Sequence, residues 1–319
     1  MTSISSTTPI VLSPSLLAST LDAGLSTDQS SLASLEQQIA TGNAINVPSD
    51  NPAGAASMLQ LQASLTRANQ YSSNAQDGTG WLTLANSTVG SVLSNLQQVL
   101  SLVQGISGAS LTSQSTTLQA TADQVEAALT SINNLANTTY AGNQLLFGGT
   151  GATTQAYDKN GKYLGAGSAP TRTVAPGTQV PVSLTGPQVF GSGSSGVLGN
   201  GQGGAPTGVL QQILNDLKSA QSGSTSALSS LEGTGLTSLQ GAISTVEAAA
   251  GTLGAYQQQM EGFAQQATSS ATALTQELGN VQSANVAQTI TSLQLQQTAY
   301  QEALYATSQL STDSLAKYL

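Results

Sequence analysis

The chain offers few residues able to do covalent chemistry. It has no His and no Cys, which removes Ser-His-Asp and Cys-His catalysis, zinc sites and disulfide frameworks together. Carboxylates remain. Asp123 and Glu126 stand three apart, sharing a face if helical, as a general-acid pair can. A glycosidase would need two carboxylates across a cleft. Nothing near Asp123 and Glu126 supplies a pocket or a substrate, so they read as a solvated face. Gly191-Ser-Gly-Ser-Ser-Gly196 matches G-x-G-x-x-G, but it lies in a Gly/Ser loop with no strand before it and no βαβ unit around it. Asp158, Asn160 and Gly161 suggest a calcium loop, yet ligand number and spacing are wrong, and a hairpin turn fits better. Trp81 could offer a sugar platform, but it reads as a bundle residue. Ser87-Thr88 and the many other hydroxyls are possible glycosylation acceptors. The chemistry therefore points away from an enzyme, a cofactor or a metal and toward a structural subunit.

Charge narrows the partners. Fifteen Asp+Glu against six Lys+Arg give a formal charge of -9. Nucleic acid is an unfavourable partner, because binding it needs a basic face. Only 7% of residues are charged, so the polar surface must be Ser, Thr, Asn and Gln. Copies with such a surface can pack without strong repulsion. Met1–Pro9 has neither the basic nor the apolar region of a signal peptide. No apolar run reaches the ~18 residues a membrane span needs. Membrane insertion is not expected, and any export would not use a cleaved signal.

The elements that must position these residues are mainly helical. Leu25, Leu32, Leu35 and Ile39 form a heptad stripe with Asp28 in a core slot. The stripe ends at Gly42-Asn43, and Pro48 and Pro52 forbid its continuation. Asp50 or Asn51 can cap a new helix with Pro52 at its first position. Leu82, Ala85, Val89, Val92, Leu96, Val99, Val103 and Ile106 then step by three and four. A helix from Pro52 to Ile106 would be roughly 80 Å long, unless Gly78 or Gly80 breaks it. Leu118, Val125, Leu129 and Ile132 predict an antiparallel return.

From Gly142 to about Thr207 helical period disappears. Asn160-Gly161 predicts a two-residue hairpin turn between Tyr157 and Tyr163-Leu164. Gln179–Thr185 alternates like a strand, with Pro181 at an edge, and 191–208 reads as a glycine-rich loop. Helix resumes at Leu210. Ile243, Val246, Ala250, Leu253 and Met260 form a stripe with Gln257 in a core slot. Val286, Ile290, Leu293, Tyr300 and Leu304 form the last, with Gln297 in a core slot.

The predicted fold class is mainly α with a β insert: a long antiparallel helical bundle or coiled coil from the N- and C-terminal regions, and a small β domain in the middle. The expected organisation is an N-terminal assembly helix, 1–45, pairing with a C-terminal one, 283–319. Helical rod segments at 46–141 and 209–282 flank a β-rich insert at 142–208. Each fully buried stripe residue contributes about 1.5–3 kcal/mol, while ordering each residue costs ~1–2 kcal/mol. Two isolated terminal helices are therefore marginal. They are expected to order when neighbouring molecules supply further surface. The expected assembly interface is Leu25, Leu32, Leu35, Ile39, Val286, Ile290, Leu293, Tyr300 and Leu304.

Several segments carry a family resemblance. Ile39–Ala55, with its Pro48-Ser-Asp-Asn-Pro52 run, resembles the N-terminal signature of bacterial flagellin-type axial proteins. Leu65–Tyr71, Asn74 and Trp81-Leu82 look like the start of their shared long helix. Asn137–Thr150, containing Tyr140-Ala-Gly-Asn-Gln-Leu-Leu-Phe-Gly148, resembles the helix-to-β crossing of the hook-filament junction branch (hook-associated protein 3), with Leu145 in place of the usual aromatic. Val180–Phe190 is similar to that branch's central β repeat. Ile290–Tyr300 and Ser314–Leu319 are similar to its C-terminal region. Together these cover roughly three quarters of the chain.

The resemblance implies an extracellular part of the bacterial flagellum, exported by the type III apparatus without a cleaved signal peptide. It implies self-association in a helical ring between another hook-associated protein and flagellin. It also implies an export chaperone at the C-terminal helix. Two alternatives stay open: a filament flagellin, which would dominate sheared surface material, and a secreted adhesin or binding module with a helical stalk, in which 142–207 alone would bind a ligand.

Overall fold

A computed structural model of the chain describes residues 14–106, 115–151, 154–198 and 208–316. The readings made on Met1–Pro9, on the loop stretch 199–207 and on the last residues, 317–319, lie outside these. The fold is mainly α. Helix α1 spans Pro14–Thr41, α2 Pro52–Ile106 and α3 Ser115–Ala136. Two short antiparallel pairs follow, β1 (Thr139–Tyr140) with β2 (Gln144–Leu145), and β3 (Thr171–Ala175) with β4 (Thr178–Pro181). The remaining helices are α4 (Gly186–Phe190), α5 (Val209–Gln221), α6 (Thr225–Ser230), α7 (Leu236–Gln282) and α8 (Val286–Ala316), with a π-helical turn at Leu231–Gly235 before α7.

The chain divides into two compact units. A terminal unit comprises Met1–Thr66 with Thr272–Leu319, and a central unit comprises Arg67–Ala271. The central unit holds the hydrophobic core. The α2 stripe from Leu82 to Ile106 is buried without exception, and α3, α5 and α7 close on it through Val125, Ile132, Ile213, Leu217, Val246 and Leu253. Gly78 and Gly80 do not break α2. At Gly78 the helix packs so closely on α7 that a Cβ would lie 2.5 Å from the Met260 methyl, and at Gly80 a Cβ would lie 2.8 Å from the Tyr140 hydroxyl. Both glycines buy close approach rather than a turn. Asn86 donates to Gln257 across α2 and α7 at 2.9 Å, so Gln257 does occupy a pairing position.

The middle segment is built differently from the sequence reading. Asn160-Gly161 is not a two-residue turn. Tyr157 bridges Tyr163, and the Asp158 N–H donates to the Lys162 carbonyl, which leaves a three-residue loop. Gly161 takes the left-handed conformation (φ 79°) that such a loop needs at its last position. The predicted strand at 179–185 ends at Pro181, which has no N–H to extend a ladder. Its partner, Thr171–Ala175, was not anticipated. These small sheets have no independent layer of core. The 156–163 hairpin is sewn to the end of α3. The Asn137 amide accepts the N–H groups of Ala156 (2.7 Å) and Tyr157 (3.0 Å) and donates to the Tyr157 carbonyl (2.9 Å). Asn133 donates to the Asp158 carbonyl at 2.7 Å. Above this seam Tyr157, Tyr163, Phe190 and Phe147 make an aromatic cluster with ring centroids 5.2–5.5 Å apart.

On the α2 side, Arg172 of β3 pairs with Asp77 at 2.7 Å and lies 5.3 Å from the Trp81 ring centroid. Trp81 in turn stacks on Tyr140 at 4.8 Å. Trp81 is thus a packing residue, 1% exposed.

Asn137→Ala strands three backbone groups of the hairpin at once. It is expected to lower the stability of the central unit by about 2–4 kcal/mol, read as a lower urea midpoint with tyrosine fluorescence as the probe. An unchanged midpoint would mean that the hairpin is held some other way.

Candidate assembly interface

The terminal unit begins with a helix that its sequence stops cleanly. Gly42 (φ 71°) terminates α1, its N–H donating to the Gln38 carbonyl. The chain then crosses the joint between α7 and α8. The Ala44 N–H donates to the Gln282 carbonyl (2.7 Å), and the Ala284 N–H to the Gly42 carbonyl (2.9 Å). Asp50 folds the following turn by accepting the N–H groups of Asn46 (2.9 Å) and Val47 (3.0 Å). Asn51 caps α2, accepting the Gly54 N–H at 2.9 Å. The two candidate caps therefore have separate tasks. Ile45 closes this corner, and a Cβ at Gly54 would meet it at 2.5 Å.

Helix α1 packs along α8. The Asn43–Ser283 bridge and the hydrogen bond from Gln296 to the Asp28 carboxylate (2.9 Å) fix an antiparallel register. That register sets Leu32 level with Leu293, and Leu25 with Tyr300. On α1 the half-buried line is Leu21, Leu25, Asp28, Leu32, Leu35 and Ile39. On α8 it is Leu293, Gln296, Tyr300, Ala303 and Thr307, continued by the buried Thr289. Both lines step by three and four. The predicted core slot at Gln297 is one residue out: Gln297 is exposed and Gln296 makes the bond.

Of the nine residues expected at an interface, Leu25, Leu32, Leu35, Ile39, Leu293 and Tyr300 share this seam. Val286, Ile290 and Leu304 do not join it; they are 43%, 42% and 44% exposed. Ile290, Gln297 and Leu304 form a row seven apart on the flank of α8, beside the seam. Sequence reasoning missed Leu21, although it stands four before Leu25. It also missed Thr289, Ala303 and Thr307, whose small or polar side chains give no apolar signal.

Burial separates this unit from the other. Among its described residues Ile45 is the one buried apolar side chain. Every large apolar residue identified as exposed, apart from Leu164, lies in this unit: Leu16, Val47, Leu59, Val286, Ile290, Leu295, Leu304 and Tyr305. A half-buried leucine recovers only part of the ~1.5–3 kcal/mol of full burial. Five of the exposed residues, Val286, Ile290, Leu295, Leu304 and Tyr305, lie on α8 alone. No described helix is long and apolar enough to cross a membrane.

Comparison with known proteins agrees with this architecture. Residues 13–152 match the bacterial flagellin N-terminal helical region. No curated protein sequence matches the chain. Among solved structures, one described as a flagellar hook-associated protein from Vibrio parahaemolyticus is 19% identical, with a TM-score of 0.63, covering 73% of this chain and 100% of that one. FlgL from Bacillus cereus is 21% identical, with a TM-score of 0.52, covering 69% and 99%. The flagellar junction protein FlgL from Legionella pneumophila is 14% identical, with a TM-score of 0.54, covering 72% and 100%.

Two expectations follow. Leu96→Ala, in the filled core of the central unit, should cost about 2–5 kcal/mol and shift the main urea transition. Leu32→Ala, in the open seam, should leave that transition in place; an equal shift would show that the seam belongs to the central core. The second concerns Asp50, whose carboxyl is held below its usual range by the Val47 N–H and then the Asn46 N–H. A depressed folded pKa contributes stability above the unfolded value of about 3.9, and that contribution is lost as pH falls through the folded value. The protection of the Val47 and Asn46 amides, measured against their intrinsic exchange rates, should therefore fall as pH drops below about 4, and protection that stays constant would remove Asp50 from the turn's support.

The flagellin match over residues 13–152 and the fold shared with the solved hook-associated proteins bear out the flagellin-type resemblance: the N-terminal helical region is of the bacterial flagellin type, and the chain has the fold of the solved hook-associated proteins.

Proposed function

We propose that the chain is a structural subunit of the bacterial flagellum, a hook-associated protein at the junction between hook and filament. The observation that carries this reading is the unfilled seam. A terminal helix pair whose apolar residues are half covered, beside a self-sufficient central core, suits a subunit completed by its neighbours. The names of the Bacillus and Legionella neighbours favour the junction over the filament.

In this reading α1 and α8 are the assembly helices. Leu25, Leu32, Leu35, Ile39, Leu293 and Tyr300 hold the pair together. Val286, Ile290 and Leu304 on the flank of α8 receive the next copy in a helical ring. Another hook-associated protein and flagellin would lie on either side of that ring. Before export by the type III route, a chaperone would cover the C-terminal helix, whose flank is otherwise exposed. The final location is extracellular. Such a subunit needs no catalysis and no cofactor.

A strain lacking this protein is expected to bear hooks without filaments and to lose filament protein to the medium, as seen by electron microscopy. Wild-type protein supplied in trans should restore filaments. Leu304→Asp should fold, with the central unit's urea transition intact, and still fail to restore them, because a charge covered without a partner costs several kcal/mol. Leu293→Asp should fail in the same way. Normal filaments in the deletion strain would refute the junction role, and full rescue by Leu304→Asp would refute the flank as the contact surface.

A further inference from the structure

The central unit contains a cleft of about 350 Å³ between α3, the 158–162 hairpin and α5, a volume within the usual range of ligand sites, about 300–1,000 Å³. It does not belong to the terminal seam, and the assembly reading gives it no task. Its walls are fixed in advance. Asn133 and Asn137 tie the hairpin to α3. Gly161 abuts Leu198, and any Cβ there would collide with the Leu198 carbonyl. On the opposite wall Lys218 of α5 pairs with Glu126 of α3 at 3.1 Å, and Gln221 donates to Gln119.

The lining is unusual for this protein. The chain has six Lys+Arg and a charge of -9. Two of those cations, Lys159 and Lys218, line this one cleft, and a third, Lys162, lies one residue beyond Gly161 on the same hairpin. Lys159 has no carboxylate partner among the described residues. The nearby Asp158 carboxylate is engaged by the N–H groups of Asn160 and Lys162, both at 2.8 Å. Leu129, Leu198 and Leu214 supply apolar lining, and Asn134, Asn160 and Gln211 supply neutral amides.

We propose that this cleft binds a uronic acid, a sugar ring bearing a carboxylate. The ammonium of Lys159 would take the carboxylate. The lining amides donate and accept hydrogen bonds as ring hydroxyls require, and the lining leucines would cover the C–H face of the ring. Phosphate fits less well. No arginine fork lines the cleft among the described residues, and the helix α5 enters it through Gln211, Leu214 and Lys218 rather than by its N-terminal N–H groups. Glu126 opposes an anion, but its pairing with Lys218 leaves the Lys159 side free.

The test is an NMR titration of the full chain with D-glucuronate, D-glucose and acetate at matched ionic strength. Glucuronate should give saturable shifts at the amides of 133–134 and 159–161, with glucose and acetate each at least tenfold weaker. Lys159→Gln should weaken glucuronate about tenfold and leave glucose unchanged. Glu126→Gln, which frees Lys218 and removes the opposing charge, should tighten glucuronate several-fold. Both changes lie on exposed side chains, and an unchanged far-ultraviolet spectrum verifies folding. No saturable shift, equal binding of acetate, or indifference to Lys159→Gln would each overturn the proposal. None of these outcomes touches filament assembly, so the site and the assembly reading stand or fall separately.

Discussion

Two helices packed side by side can cover only one line of side chains on each other, and everything distinctive in the terminal unit follows from that constraint. A residue in such a seam meets its opposite number on one side and solvent on the other. Leu25, Leu32, Leu35 and Ile39 are all left half-buried, whereas Val89, Val92, Leu96 and Val99, enclosed by several elements, are wholly buried. The leucines are no less apolar than the core residues. They lack a third layer. Midway along the pair Gln296 donates to Asp28, and this bond contributes direction rather than strength. A polar pair in an apolar seam disfavours slipped registers, in which each partner would face a hydrocarbon chain. The seam is thus specified in register while remaining incompletely covered.

The central unit solves the opposite problem. Its β segments are too short to hold themselves, with two-residue strands in one pair and four or five in the other. Isolated two-stranded pairs of this size are marginal in water. The 156–163 hairpin, which has only an isolated bridge, gains partners from asparagine amides at the end of α3, each of which can donate and accept at once. Asn137 satisfies three backbone groups in a segment that has no third strand to do so. The Arg172–Asp77 pair attaches β3 to α2, and the Trp81–Tyr140 stack attaches β1 to it. A helix in this unit is therefore also the scaffold on which the β segments are ordered.

How much of this was legible depended on whether the side chains that matter are apolar. The α2 stripe could be read residue by residue, because every seam position there is Leu, Val, Ile or Ala and all are covered. On α8 the same reading kept Leu293 and Tyr300 but was one position out at Ile290, Gln297 and Leu304. The greasiest residues, Val286, Ile290 and Leu304, lie on the flank, while the seam proper uses Thr289, Gln296, Ala303 and Thr307. Apolar periodicity reports where hydrocarbon is, and in a helix that has more than one contact face this is not the same as where the nearest helix is. The asparagine sutures left no trace at all, since Asn133 and Asn137 look like ordinary surface residues until the hairpin is beside them. Thr171–Ala175 was missed because it alternates over too few residues to stand out from its surroundings. Gly78 and Gly80 looked like breaks, but a buried glycine in a helix can equally mark close approach, and only the positions of Met260 and Tyr140 decide between the two.

The scarcity of charge connects these observations. In α1 the hydroxyls of Thr27, Ser30 and Ser31 donate to carbonyls four residues back, at 2.8–3.0 Å. In α8 Thr291, Thr298 and Thr307 do the same. Each such hydroxyl has its proton engaged inside its own helix. Covering it with another molecule then strands no donor, whereas covering a lysine or glutamate strips a charge of its water. The same bonds compete with the helix ladder and bend it slightly, and Ser and Thr are weaker helix formers than Ala or Leu. A surface made from them is therefore cheap to cover and poor at holding a lone helix in place. Those two properties arise from one choice of side chain, so a terminal pair with this composition could not easily be made self-sufficient without also becoming harder to bury against a neighbour.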